Sequence, residues 1–157
     1  MISIRPVETK DRTQLLELVR LQENFNAQEV EVAIEVIDDT LNPEKNDYRI
    51  LIAVSGEKKV VGFICYGEIP MTDRRFDLYW VAVDPALGRQ GIGRQLLAQM
   101  EAELGAQGPA RVYVDTSSTP GYDSARGFYE KNGYQVACVF HDFYRGGDDK
   151  VVYLKEL

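Results

Sequence analysis

The hydrophobic pattern along the chain changes period several times, and each change marks an element. Ile2-Ser3-Ile4-Arg5-Pro6-Val7 alternates and predicts a strand. Leu15, Leu16, Leu18, Val19 and Leu21 then form a helical stripe, with Thr9 placed to cap it. A second helical pattern opens at Asn26 or Ala27, continues through Val30, Ala33, Ile34 and Ile37, and stops at Asn42-Pro43. Tyr48 to Val54 and Val60 to Tyr66 read as strands joined by a hairpin at Ser55-Gly56-Glu57-Lys58. Phe76 to Val83 is a further strand, and Ile92, Leu96, Leu97, Met100 and Leu104 lie on one face of the helix after it. Arg111 to Thr116 predicts a strand, and Ser124 to Lys131 a short helix ended by Asn132-Gly133. Tyr134 to Asp142 and Lys150 to Lys155 close the chain as strands around Arg145-Gly146-Gly147-Asp148-Asp149. The order β-α-α-β-β-β-α-β-α-β-β predicts a mixed α/β (α+β) domain without the strict alternation of a doubly wound nucleotide fold.

One junction carries chemistry. Trp80-Val81-Ala82-Val83 feeds a turn with Gly88, Gly91 and Gly93, and the next helix begins inside that turn. Glycine lets the backbone approach a ligand with no Cβ in the way. The uncapped N–H groups and positive dipole end of a helix favour phosphate. A plain strand-to-helix turn would use glycines too, so the turn alone does not decide the matter.

Composition narrows the classes. The chain has 157 residues, which suits one domain over residues 1–157 with a core of its own. A net charge of −7 argues against nucleic acid and anionic membrane as partners, and favours a cationic one. Cys65 and Cys138 sit in apolar runs without metal-ligand spacing, so both are expected to be buried, reduced thiols, with no metal. The sequence has neither a bilayer-length apolar run nor a signal-peptide core, and the expected location is the cytoplasm.

The later segment Ala125-Arg126-Gly127-Phe128-Tyr129-Glu130-Lys131-Asn132-Gly133-Tyr134 completes a second motif. Together with the glycine turn and the element order, it resembles the GNAT superfamily of acetyl-CoA-dependent N-acetyltransferases. That family marks its pyrophosphate turn with Gln or Arg, two residues, Gly, one residue, and Gly or Ala; Gly91 and Gly93 match it. Its fourth helix carries Ala, two residues, an apolar residue and Tyr, then a Gly and an aromatic, and Tyr129 matches the tyrosine. The match is strong over residues 48–157 and permissive over residues 1–47. The resemblance implies a single domain with a mostly antiparallel mixed sheet of about seven strands and about four helices. It implies acetyl-CoA held by Val81, Val83, Gly88, Arg89, Gln90, Gly91, Ile92, Gly93, Arg94, Thr116, Ala125, Phe128 and Tyr129. Two positions depart from the pattern. Gly88 stands where Gln or Arg is usual, and Tyr122 where many members have Asn.

The implied reaction is direct attack of a primary amine on the thioester in a ternary complex. No Ser-His-Asp or Cys-His arrangement is recognisable, and none is needed. The main-chain N–H groups of Val81 and Val83, opposite Val114 to Thr116, would stabilise the developing oxyanion. Tyr129 is the expected general acid, since a phenol with a pKa near ~10 is protonated at neutral pH. A lysine-type acceptor with a pKa near ~10.4 must lose a proton. Asp77, four residues before Val81, stands where members with a carboxylate base on this strand place Glu; one carbon shorter, it needs a water relay. Glu68 and His141 are rivals for that role. The acceptor, a small molecule or a protein amine, is not legible, although Tyr66, Glu68, Tyr79, Phe143, Tyr144, Asp148 and Asp149 are candidates to line its pocket. A non-catalytic acyl-CoA-binding module of the same fold is the alternative, and a homodimer is left open. No Lys-Ser or Lys-Thr follows the glycines, which disfavours a P-loop.

Overall fold

The computed structural model describes residues 1–157. The elements are β1 (Ile2–Pro6), α1 (Arg12–Arg20), α2 (Ala27–Leu41), β2 (Arg49–Ser55), β3 (Val60–Glu68) and β4 (Arg75–Val83), then α3 (Ile92–Gly105), β5 (Arg111–Ser117), α4 (Asp123–Lys131), β6 (Gln135–Arg145) and β7 (Asp148–Glu156). One seven-stranded sheet has the order β1-β2-β3-β4-β5-β7-β6. Every pairing is antiparallel except β4 with β5. The element order and the mixed sheet are those the sequence predicts.

The ends of elements differ where side chains decide them. Thr9 caps nothing; it begins a short 3-10 turn, Thr9–Asp11, that leads into α1. Asp11 holds this corner, accepting from the Arg5 guanidinium at 2.8 and 2.9 Å and from the Glu8 amide at 2.8 Å. Asn26 does cap α2, its side chain accepting from the Glu29 amide at 2.8 Å. The expected five-residue loop between β6 and β7 shrinks to Gly146-Gly147, because Arg145 already pairs with Asp148.

Both faces of the sheet centre are covered, which explains why β3 is apolar almost without interruption. α3 packs on one face over Ile64, Tyr66, Leu78, Val112 and Val114. α1 and α2 pack on the other over Ile50, Ile52, Phe63, Cys65 and Ala82. Tyr66 therefore belongs to the core, its hydroxyl donating to Glu103 at 3.3 Å, and not to an acceptor pocket. Cys65 is buried as expected, and desolvation pushes its thiol up to about 12. Cys138 is exposed, against expectation: β6 is an edge strand paired only with β7, so an apolar run there does not mean burial. No helix is long and apolar enough to cross a membrane.

β4 contains the irregularity that shapes the site. Cys65 pairs with Trp80 and Tyr66 with Leu78, which leaves Tyr79 as an extra residue, a β-bulge. The bulge shifts the alternation of side chains. Phe76 and Leu78 before it, and Val81 and Val83 after it, all face α3, while Trp80 and Ala82 face α1 and α2. Parallel pairing with β5 covers only Arg75–Asp77 against Arg111–Tyr113, and beyond that the two strands part.

Gly67 sits beside this bulge on β3, where an added Cβ would lie 2.2 Å from the Asp47 carbonyl oxygen. Gly67→Ala should therefore destabilise the fold by roughly 1–3 kcal/mol through overpacking. Gly56→Ala, with nothing within 4 Å of the new Cβ, should change it little. Denaturant unfolding of the two variants checks the contrast.

Candidate active site

The parting of β4 and β5 exposes main chain. The Asp84 amide donates to the Val61 carbonyl at 2.8 Å, and antiparallel alternation then turns the peptide groups of Val81 and Val83 away from β3. The Val83 carbonyl accepts from the Gln22 side chain at 3.2 Å. The chain next enters a 3-10 turn, Pro85–Leu87, and reaches α3 through Gly91, whose φ of +75° only glycine adopts freely. Gly91 has no side chain to cap the helix, and the first turn holds no acidic residue. The amides opening α3 are thus left for a ligand. At Gly93 an added Cβ would stand 3.4 Å from the Phe128 ring, so helices α3 and α4 approach closely there.

Two cavities meet in the gap. The first, about 510 Å³, is lined by Val81, Val83, Gly88, Gly91, Gly93, Arg94, Ala125, Phe128, Tyr129, Lys131 and Asn132. It carries two cations and no carboxylate. The second, about 570 Å³, lies between the start of α2, β4, β5 and the β6–β7 end. Its charged lining is Glu29, Asp115, Asp148 and Arg145, set among Phe25, Tyr79, Trp80, Tyr122 and Tyr144. Val81, Ala125 and Tyr129 line both cavities.

Tyr129 is buried among Phe128, Tyr134 and Tyr153, with ring centroids 5.5 to 6.0 Å away. Its hydroxyl has no hydrogen-bond partner within the protein, and burial pushes its pKa far above the ordinary phenol value. Tyr134 and Tyr153, by contrast, donate to Glu101 and Glu130. Thr116, on β5 in the second cavity, holds the single fully buried side-chain polar atom with no partner. Asp77 is half-buried and lines neither cavity. Burial raises its pKa, the neighbouring Asp115 carboxylate raises it further, and Lys150 opposes both. Asp115 does open on the second cavity, and Lys150 pairs with it at 3.3 Å.

Of the residues singled out as cofactor-binding, eight side by side with Tyr129 line the first cavity: Val81, Val83, Gly88, Gly91, Gly93, Arg94, Ala125 and Phe128. Arg89 and Gln90 are exposed on the turn and line neither cavity, and the Ile92 side chain is buried in the core. The rival bases stand apart: Glu68 lies outside both cavities, and His141 is exposed and pairs with Asp149 at 3.2 Å. Tyr79, Tyr144 and Asp148 line the second cavity as expected, whereas Phe143 and Asp149 do not. Sequence reasoning missed Glu29, Trp80, Asp115 and Tyr122 in the second cavity and Lys131 in the first. The first turn of α2, capped by Asn26, was the available signal for Glu29.

A family model described as acetyltransferase (GNAT) domain matches residues 46–136. A crystal structure from Desulfovibrio desulfuricans, assigned to the GNAT family as an acetyltransferase, is 32% identical, covers 99% of each chain, and superposes with a TM-score of 0.94. The ribosomal-protein-S18-alanine N-acetyltransferase of Escherichia coli shares the fold at 21% identity, over 99% of this chain and 94% of that one, with a TM-score of 0.79. The PaiA N-acetyltransferase of Thermoplasma acidophilum, in complex with coenzyme A, shares it at 21% identity over 100% and 99% of the chains, with a TM-score of 0.72. No curated protein sequence matches the chain.

A buried hydroxyl without a partner costs the fold roughly 1–3 kcal/mol, which an isosteric methyl removes. Thr116→Val is therefore expected to raise stability by about 1 kcal/mol in denaturant unfolding. A loss of stability would instead reveal a structural hydrogen bond at this position.

Proposed function

The chain belongs to the GNAT acetyltransferase family, and on that premise we propose that it transfers an acetyl group from acetyl-CoA to a primary amine while both substrates are bound. The polarity of the two cavities supports the arrangement. The one with Arg94 and Lys131 and the open end of α3 suits the phosphates of CoA, and the acidic one suits an amine. Departure of Gly88 from the usual Gln or Arg leaves the turn's backbone as the main phosphate donor, with Arg94 and Lys131 as the side-chain cations. Acetyl-CoA supplies a thioester whose carbonyl carbon the amine attacks directly, forming the C–N bond as the C–S bond breaks.

The chain's own groups then have three tasks. Main-chain N–H groups of Val81 and Val83, freed by the parting of β4 from β5, stabilise negative charge on the carbonyl oxygen. Tyr129 gives its proton to the departing sulfur. The free hydroxyl of Tyr129, on the wall common to both cavities, is the observation that carries this reading. A phenol raised by burial is protonated throughout the neutral range, so the acid is loaded before each turnover. Asp77 accepts the amine's proton through water, along the side of the second cavity where Asp115 stands. Its raised pKa makes the carboxylate a better base than an exposed aspartate. The acceptor in this reading is a small-molecule or protein amine, and the site of action is the cytoplasm.

Tyr129→Phe keeps the ring and its packing, so stability and CoA affinity should change little while turnover falls by roughly 10²–10⁴-fold. The defect should shrink with a thioester of a more acidic thiol, which needs less help in leaving. Wild-type turnover in this variant, measured where chemistry limits the rate, would return Tyr129 to a packing role and favour a non-catalytic module.

Asp77 must be ionised to accept a proton, and burial and Asp115 raise its pKa, so activity should climb with pH through a limb displaced upward from that of an ordinary aspartate. Asp77→Asn should abolish that limb and lower the rate at neutral pH. Part of the rate should return at high pH, where free amine is abundant. An unchanged pH–rate profile would assign the proton to bulk water.

A further inference from the structure

The second cavity has a charge imbalance that acetyl transfer to a simple amine does not require. Three carboxylates and one guanidinium line it. Two of the carboxylates are satisfied within the protein. Asp148 accepts from Ser117 at 2.5 Å and from Arg145 at 3.0 Å, and Asp115 pairs with Lys150 at 3.3 Å. The Glu29 carboxylate, half-buried at the start of α2, has no ion pair, and only the Asn26 backbone amide beside it bears on it as a hydrogen-bond donor. Arg145 is near enough to act on it through space, but that guanidinium is committed to Asp148. Glu29 faces Tyr122 and Tyr144, whose phenols its charge reaches.

A separate observation points to a ligand in the same cavity. Thr116 is 6% exposed, and its hydroxyl lacks a partner. It lines the cavity together with Ala125 and Tyr129, where the two cavities join. A hydroxyl can accept a hydrogen bond from an incoming amine. The same cavity is lined by aromatic rings, Phe25 and Tyr79 standing 6.3 and 6.2 Å from the Trp80 ring. Ring faces of this kind attract cations. A volume of about 570 Å³ is that of a small-molecule site.

We propose that the acceptor is an aliphatic amine with a second cationic nitrogen, a diamine or longer polyamine, whose reacting end lies at Thr116 and Tyr129 while its second ammonium pairs with Glu29. The inference deepens the acetyl-transfer reading of this site and rests on it. The same charge imbalance disfavours amino acids, whose carboxylate would meet Glu29 and Asp148 unpaired.

The test compares diaminobutane, diaminopentane and spermidine with n-butylamine, following thiol release from acetyl-CoA. At least one of the polycations should exceed n-butylamine in kcat/KM by roughly tenfold or more, the scale of a hydrogen-bonded charge pair. Glu29→Gln should collapse that ratio toward one, chiefly through KM, and Glu29→Asp should restore part of it. Binding provides a second readout: a diamine should raise the Tm of the CoA-loaded protein, and Glu29→Gln should abolish the rise. Equal kcat/KM for mono- and diamines, or a ratio unchanged by Glu29→Gln, overturns the proposal. A Glu29-dependent rise in Tm without turnover of any amine would support the cation site and count against acetyl transfer.

Discussion

Three residue pairs of parallel hydrogen bonding, Arg75–Asp77 with Arg111–Tyr113, hold β4 to β5, and then the strands separate. The extra residue at Tyr79 lies just past the last of these pairs and increases local twist, which carries β4 away from its parallel neighbour. β5 keeps its full antiparallel ladder with β7, so the sheet stays intact on that side while the gap opens. Unpaired main chain inside a fold is costly unless a ligand or water satisfies it. Here the cost is met by the position of the gap, which opens into cavities on both sides.

The same bulge also distributes the side chains. By shifting the alternation, it puts Val81 and Val83 under α3 and α4 while Trp80 turns toward α2. One strand therefore builds a wall of both cavities. The first cavity then draws its charge from α3 and α4, through Arg94 and Lys131, and the second from α2, β5 and β7, through Glu29, Asp115 and Asp148. Opposite polarity on the two sides of one gap favours an anionic ligand on one side and a cationic ligand on the other. Electrostatic steering of this kind costs the chain nothing in packing, since the charged groups stand at the cavity surfaces.

Tyr129 joins the two sides. Its ring is held by three aromatic neighbours, which fixes the hydroxyl without giving it a partner. Tyr134 and Tyr153 in the same cluster are tied to carboxylates, so the lack of a bond at Tyr129 is particular to that position. Leaving a phenol unpaired at a cavity junction costs the fold a little stability and keeps the hydroxyl open to whatever occupies the cavities. Thr116 shows the same economy on the facing strand.

Much of this was legible in the chain. Period changes located all seven strands and four helices, because each element has its own hydrophobic repeat. Gly91 and Gly93 marked the first cavity because backbone approach is a local property, whereas Tyr129 was marked only by the resemblance of its helix to the family motif. Local pattern failed where burial depends on neighbours. Cys138 lies in an apolar run but on an edge strand, and Tyr66 follows Ile64 onto the face of β3 that α3 covers, so both faces of that strand are core. The second cavity was assembled from sequence only in part: Tyr79, Tyr144 and Asp148 were anticipated, but Glu29, Trp80, Asp115 and Tyr122 come from four separate segments with no common spacing. A periodic pattern specifies which face of an element is buried. Only the packing of α2 and the β6–β7 hairpin against the parted strands decides which polar residues meet.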